Sequence, residues 1–171
     1  MKKTNISRLK TSIEIFYTIL YYILVIGIVI VYGLIFSDKT DSLISIPVSS
    51  ISHPKLRIAI VSFCVFVLMY IFFRGVHHLL KSMISLEKGN YFNEEVIFRF
   101  TKTAKLFLIA SIGGIILQFI SPLILESKIS LSINTDIVFT LFLMIIGLFF
   151  KFLSQVFDKA RILQKENELT I

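Results

Sequence analysis

Four long apolar runs dominate this sequence, and they decide what the chain can fold into. The first covers residues 13–36 with Glu14 as its only charge, and the others cover about 57–80, 104–125 and 137–157. Because an α-helix rises about 1.5 Å per residue, such runs can cross a hydrocarbon core about 30 Å thick. The sequence therefore predicts an all-α membrane protein, with four transmembrane helices in a single integral membrane domain.

Composition supports the same class. Hydrophobic residues make up 56% of the 171 residues and the mean hydropathy is +0.85, which is too apolar for a soluble domain. The formal net charge of +7 would favour nucleic acid as the partner of a soluble protein, but here the basic residues lie at the ends of the apolar runs. Anionic lipid headgroups select that placement. We therefore expect the lipid bilayer as a partner and no direct nucleic-acid binding.

The distribution of Lys and Arg predicts how the chain is threaded. Fourteen of them lie before the first span, in residues 74–105 or from Lys151 onward, whereas four lie in the two remaining loops. By the positive-inside rule the N-terminus, a connector at 81–103 and a tail at 158–171 are cytoplasmic. The chain then forms two in-out-in hairpins. The basic N-terminus before a long apolar run indicates an uncleaved signal anchor rather than a cleaved signal peptide.

Two regularities suggest further architecture. The segment Phe72–Asn90 aligns without a gap on Phe149–Asn167, which indicates either an internal duplication of the hairpin or a chance similarity between apolar flanks. The outer loops at 42–48 and 128–134 both alternate polar and apolar residues. That period of two predicts a short extracytoplasmic β-ribbon, with Pro47 at its edge, or else two loops in the headgroup layer.

The connector carries signals for the end of one helix and the start of another. Gly89 can close the second helix in a left-handed conformation, and Asn90 or Asn93 can then cap the next one. Glu94 and Glu95 would occupy its first turn, where the helix dipole favours negative charge. We expect this helix to continue unbroken into the third span, and the tail to be a charged helical extension of the fourth.

The connector and the tail also carry a resemblance. Leu-Glu-Lys-Gly-Asn-Tyr-Phe-Asn-Glu-Glu at Leu86–Glu95, the Phe/Lys/Arg-rich helix after it, and the ending Leu163–Ile171 resemble the bacterial four-helix membrane proteins of the DUF-2975 type. The resemblance implies a multi-pass protein of the bacterial cytoplasmic membrane. It also implies a helix-turn-helix transcription regulator as a partner, although Asn167-Glu168 departs from the Asn-Asp form of that family. The family brings no established activity with it.

Catalytic and metal-binding patterns are not found in the sequence. His77 and His78 are neighbours and point about 100° apart on a helix, while His53 belongs on the other side of the membrane. No Ser-His-Asp set and no Gly-rich phosphate loop can be assembled. We therefore expect no enzyme, no cofactor and no metal site. Glu14 lies close to Arg8 and Lys10, which favours an ion pair at the membrane edge over a coupling-ion role.

The third span holds the residues that we assign to helix packing: Ala110, Gly113, Gly114 and Gln118. Small residues allow close approach of a neighbouring helix, or of a second copy in a homo-oligomer, and Gly27, Gly33 and Gly147 can act in the same way. Gln118 is the polar residue deepest in a span. An interhelical hydrogen bond is its ordinary role, and a ligand contact is the alternative.

Two functions follow as hypotheses. In the first, the protein is a binding and regulatory scaffold whose connector and tail hold a cytosolic partner. The residues predicted to bind that partner are Leu86, Lys88, Asn90, Tyr91, Phe92, Glu94, Glu95, Leu163, Glu166, Asn167, Leu169 and Ile171. In the second, the protein is a small transporter or permeation protein for a hydrophobic solute, with a pathway formed by the bundle or a dimer of it. The polytopic form and Gln118 with the glycines motivate this hypothesis.

Overall fold

The structure, a computed structural model, contains four long helices and describes residues 3–37, 54–88, 93–126 and 135–168. The helices are α1 Lys3–Phe36, α2 Pro54–Glu87, α3 Glu94–Glu126 and α4 Thr135–Glu168. All four are long and apolar enough to cross a membrane. The fold is that of a multi-pass all-α membrane protein, as the sequence predicts.

The helices are longer than the membrane is thick. Each contains 33 or 34 residues, which corresponds to about 50 Å at 1.5 Å per residue, against about 30 Å for the hydrocarbon core. Each predicted span falls within one helix, and the excess length lies mainly at one end of the bundle. There α2 continues past residue 80, α3 starts before residue 104 and α4 continues past residue 157.

Local signals explain the helix ends around the connector. Asn93 precedes α3, and its side-chain Oδ1 accepts a hydrogen bond of 3.3 Å from the backbone N–H of Glu95. Of the two predicted caps, Asn93 therefore caps α3, with Glu94 and Glu95 in the first turn. Pro54 begins α2, at a position where its missing N–H costs no helical bond.

Contacts between helices follow the chain order. Helix α2 packs along α3 and α3 packs along α4, whereas α1 packs on α2 and makes few contacts with α3 or α4. Gly75 of α2 lies against Phe107 of α3, where an added Cβ would be 2.6 Å from Cε1 of the ring. Gly147 of α4 fits closely against Leu108 of α3. Helix α3 is therefore the central helix of the bundle.

The buried core is concentrated on one face of α3. Val96, Phe100, Ala104, Phe107 and Ala110 recur at intervals of three and four residues, and none of them is more than 6% exposed. This interval places them on one stripe of the helix. Large apolar side chains on the remaining faces of all four helices are exposed, as expected for surfaces that contact lipid.

Three detailed predictions are not confirmed by the structure. No strand occurs within the four described ranges, and the predicted β-ribbon at 42–48 and 128–134 falls outside them. Gly27 and Gly33 have open space around them and do not mediate close helix contacts within the chain, contrary to expectation. The proposed duplication stays a prediction, although α3 and α4 pack on one another far more extensively than α1 and α2 do.

Candidate functional site

The first candidate site is the end of the bundle at which α2 stops and α3 starts, which we call the connector end. It comprises residues 7–12, 81–88, 93–103 and 158–168, and it contains those of the predicted partner-binding residues that the structure describes. Leu86 is half-buried there, and Lys88, Glu94, Glu95, Leu163, Glu166 and Asn167 are exposed. Asn90, Tyr91, Phe92, Leu169 and Ile171 were also predicted to take part, but they lie outside the described residues.

Ion pairs link neighbouring helices at the connector end. The Nη1 atom of Arg161 on α4 lies 2.6 Å from Oε1 of Glu94 in the first turn of α3. The Nζ atom of Lys10 on α1 lies 3.1 Å from Oε2 of Glu87 in the last turn of α2. Lys10 is also 3.9 Å from Glu14, so the predicted edge ion pair of Glu14 is present. The connector and the tail, which are distant in sequence, thus form one surface.

An aromatic stack continues the contact between α3 and α4 towards the middle of the bundle. The ring of Phe100 stacks on Phe150 and Phe157, with centroid distances of 5.8 and 5.6 Å. Phe100 is only 2% exposed, so the stack is part of the core. Together with the Arg161–Glu94 pair, it holds the extended part of α4 against α3.

The outer face of this extension is exposed and of mixed character. Ile162 is 47% and Leu163 is 60% exposed, and Lys159, Lys165 and Asn167 are exposed around them. Ile162 and Leu163 lie beyond the span predicted from the sequence, which ends at residue 157. An exposed apolar patch that is rimmed by polar residues marks a contact site where it is contiguous and large enough.

The second candidate site is a cavity of about 430 Å³ in the half of the bundle away from the connector end. Its lining comes from all four helices and is mainly apolar. The polar residues that line it are Gln118 and Ser121 of α3 and Asp136 and Thr140 of α4. Five of the apolar lining residues belong to α2. The full set of apolar lining residues is Phe16, Leu20, Val61, Val65, Leu68, Met69, Phe72, Ala110, Gly114, Leu117, Phe139 and Leu143.

The predicted packing residues of α3 border this cavity. Leu68 of α2 covers Gly113, and an added Cβ at Gly114 would be 3.0 Å from Cγ2 of Thr140 on α4. Ala110 is 6% exposed and belongs to the core. Side chains of α2 and α4 of the same chain therefore cover this small-residue face. The dimer seam stays a prediction.

Gln118 departs from its expected role. Its Oε1 atom is buried and has no hydrogen-bond partner, so the predicted interhelical bond from this oxygen is not formed. By contrast, the hydroxyls of the buried serines and threonines donate to carbonyls of their own helices at 2.7 to 3.0 Å: Ser82, Thr103, Ser111, Thr140 and Ser154. Oε1 of Gln118 is thus a buried acceptor without a partner, in a residue that lines the cavity.

Neither the metal-binding types of side chain nor the comparisons with known proteins assign a function to this chain. Within the described ranges, no group of three or more His, Cys, Asp or Glu side chains could hold a metal ion. Comparison with protein-family models, with curated proteins and with solved structures found no match to this chain. The likeness to the DUF-2975 type therefore stays a prediction.

Two structural residues were not selected from the sequence. Arg161 could have been selected from the sequence, because it is a basic residue in the predicted helical tail. Glu94, an acidic residue in the first turn of the helix after the connector, is a suitable ion-pair partner for it. Gly75 lies between Arg74 and Val76 near the end of the second run, and no sequence pattern indicates its role in packing. Its contact with Phe107 depends on which faces of α2 and α3 meet.

Proposed function

We propose that this protein is a membrane-anchored binding scaffold whose connector end holds a cytosolic partner, such as a helix-turn-helix regulator. The observation that carries the proposal is the exposed pair Ile162 and Leu163 on the extension of α4. The extension is helical through Glu168 and is fixed to α3 by the Arg161–Glu94 pair. It therefore offers a preformed surface, which reduces the entropic cost of binding a partner.

Three features support this function together. The segments with the resemblance, Leu86–Glu95 and Leu163–Ile171, lie at the same end of the bundle where the structure describes them. The positive-inside rule puts that end in the cytoplasm. Amphipathic helices commonly bind partners through neighbouring apolar anchors surrounded by polar residues. The transport alternative stays a prediction.

Site-specific crosslinking in living cells tests the proposal. A photoreactive amino acid replaces Leu163, and a matched control replaces Ile109, which is 52% exposed on the lipid-facing surface of α3. We expect position 163 to crosslink one cytosolic protein, identified by mass spectrometry, and position 109 to crosslink only lipid. Recovery of lipid alone from both positions would contradict a cytosolic partner.

A deletion of residues 163–171 provides the second test. The full chain and the deletion variant are expressed at equal levels, and the partner found by crosslinking is recovered through each in mild detergent. We expect the deletion to lower recovery about tenfold or more while the amount in the membrane fraction stays the same, because the apolar anchor Leu163 is lost. Equal recovery through both chains would exclude the tail as the docking element.

A further inference from the structure

The cavity between the four helices has a polar end, formed by Gln118, Ser121, Asp136 and Thr140. Oε1 of Gln118 is buried without a partner. Pro122 lies inside α3, four residues after Gln118, and has no N–H with which to close the usual helical bond to the Gln118 carbonyl. A polar group without a partner in an apolar surrounding is costly, so a hydrogen-bond donor bound at this end of the cavity would stabilise Gln118.

The second acceptor at this end is the carboxylate of Asp136. It is exposed, lies in the first turn of α4 and is the single ionisable side chain among the residues that line the cavity. Gln118 and Asp136 lie at the same level of the bundle, because each is one turn beyond the contact between Gly114 and Thr140. No lysine or arginine lines the cavity. The polar end is therefore negative in charge and rich in acceptors.

The rest of the cavity is suited to an apolar group. Its wall away from Asp136 is formed by side chains such as Leu68, Met69, Phe72 and Leu143. Its volume of about 430 Å³ lies within the range of ligand-binding cavities, which are typically apolar with a few polar groups. A ligand that matches both ends has a hydrophobic body and a positively charged head that donates hydrogen bonds.

We propose that this cavity binds a lipophilic amine, with the protonated amine at the end formed by Gln118 and Asp136 and the apolar body between α2 and α4. The ammonium donates hydrogen bonds to the amide oxygen of Gln118 and is attracted by the Asp136 carboxylate. Rotation about the terminal side-chain bond of Gln118 exchanges its amide oxygen and nitrogen, so the oxygen can turn to the ligand. An acyl chain of a bilayer lipid could fill the apolar part, but it would leave Gln118 without a donor.

Photolabelling of the full chain in phosphatidylcholine nanodiscs tests the site. Three diazirine-bearing probes of equal chain length are compared: dodecylamine, dodecanol and dodecyltrimethylammonium. We expect the amine to label peptides that line the cavity, in competition with unlabelled dodecylamine. The trimethylammonium probe carries the charge but no N–H donor, and the alcohol carries a donor but no charge. Both should label these peptides at least about fivefold less, since each lacks one interaction.

Variants identify the residues that bind the head. Gln118→Leu and Asp136→Asn should each lower labelling by the amine about fivefold, because each removes an acceptor or its charge. Gln155→Leu is the matched control, since Gln155 is an exposed glutamine of α4 that does not line the cavity, and it should label as the unaltered protein does. Asp136 is exposed, so its replacement preserves the fold even where a change at Gln118 disturbs packing.

A groove that merely holds lipid would give a different labelling result. Equal labelling by all three probes would show that the cavity takes an acyl chain of any kind, and would overturn the assignment of an amine. Labelling by the amine that persists in Asp136→Asn, or that maps to peptides away from the lining, would overturn it as well.

Discussion

Replacing Gly75 with alanine tests the closest contact between α2 and α3. The new Cβ would lie 2.6 Å from Cε1 and 2.7 Å from Cδ1 of Phe107, well inside van der Waals contact. The Phe107 ring cannot easily move away, because it stacks on Phe72 with a centroid distance of 5.2 Å and meets Phe150 edge-on at 6.0 Å. Either the ring or the two helices must therefore shift.

The cost can be stated from these contacts. Overpacking of a dense core by one methyl group costs about 1 to 3 kcal/mol. The exchange of glycine for alanine also favours the helix by up to about 1 kcal/mol, which partly hides the clash. Gly27→Ala isolates this second contribution, because Gly27 is helical and has nothing within 4 Å of an added Cβ. The difference between the two variants should thus equal the cost of overpacking.

Thermal unfolding in detergent measures the difference. Cys64, the single cysteine of the chain, is partly buried in α2, so a thiol-reactive fluorogenic dye reports its exposure. For a chain of this size each kcal/mol corresponds to about 2 to 4 °C. We expect Gly75→Ala to unfold several degrees below Gly27→Ala, and Phe107→Leu to relieve part of that loss in the double variant. Equal midpoints for Gly75→Ala and Gly27→Ala would refute the reasoning.

Two further predictions concern the contact between α3 and α4. Phe100→Ala should cost about 3 to 5 kcal/mol by the same unfolding assay, because the ring is 2% exposed, whereas Phe98→Ala should have little effect, since Phe98 is 57% exposed; similar losses for both would contradict the assigned core. Arg161→Glu should raise amide exchange in residues 158–168 about fivefold, consistent with an exposed ion pair worth up to about 1 kcal/mol, and Glu94→Arg in the same chain should restore protection. Unchanged exchange in the single variant would show that the pair does not hold the extension.

The arrangement of polar contacts distinguishes the two ends of the bundle. At the connector end, charged side chains are paired between helices, as with Lys10 and Glu87, and Phe100 is buried in an aromatic stack. In the other half, Arg57 of α2 donates a bond of 2.9 Å to the carbonyl of Ile124 in α3, and Gln118 has a buried oxygen without a partner. Paired charges therefore distinguish the first end, and the cavity distinguishes the second.

The candidate sites could be predicted only in part. The acidic turn at Glu94 and the tail around Leu163 were selected from the sequence, and the structure brings them to the same end of the bundle. Their link through Arg161 was not foreseen, because a pair between positions 94 and 161 depends on how α3 and α4 are aligned. Gln118 was selected as a hydrogen-bonding residue, but whether its partner is a neighbouring helix or a ligand depends on the space around it.

The sequence by itself determined the number and the extent of the helices. In lipid, every backbone polar group must be satisfied within the segment, so a long apolar run can adopt few structures other than a helix, whatever surrounds it. Only the tertiary structure decided which small residues lie at contacts. Gly75 is covered by Phe107 while Gly27 lies open, although both are glycines in apolar helices. The reason is that contact depends on how each helix is rotated about its axis and which helix lies beside it, and these follow from the packing of all four helices together.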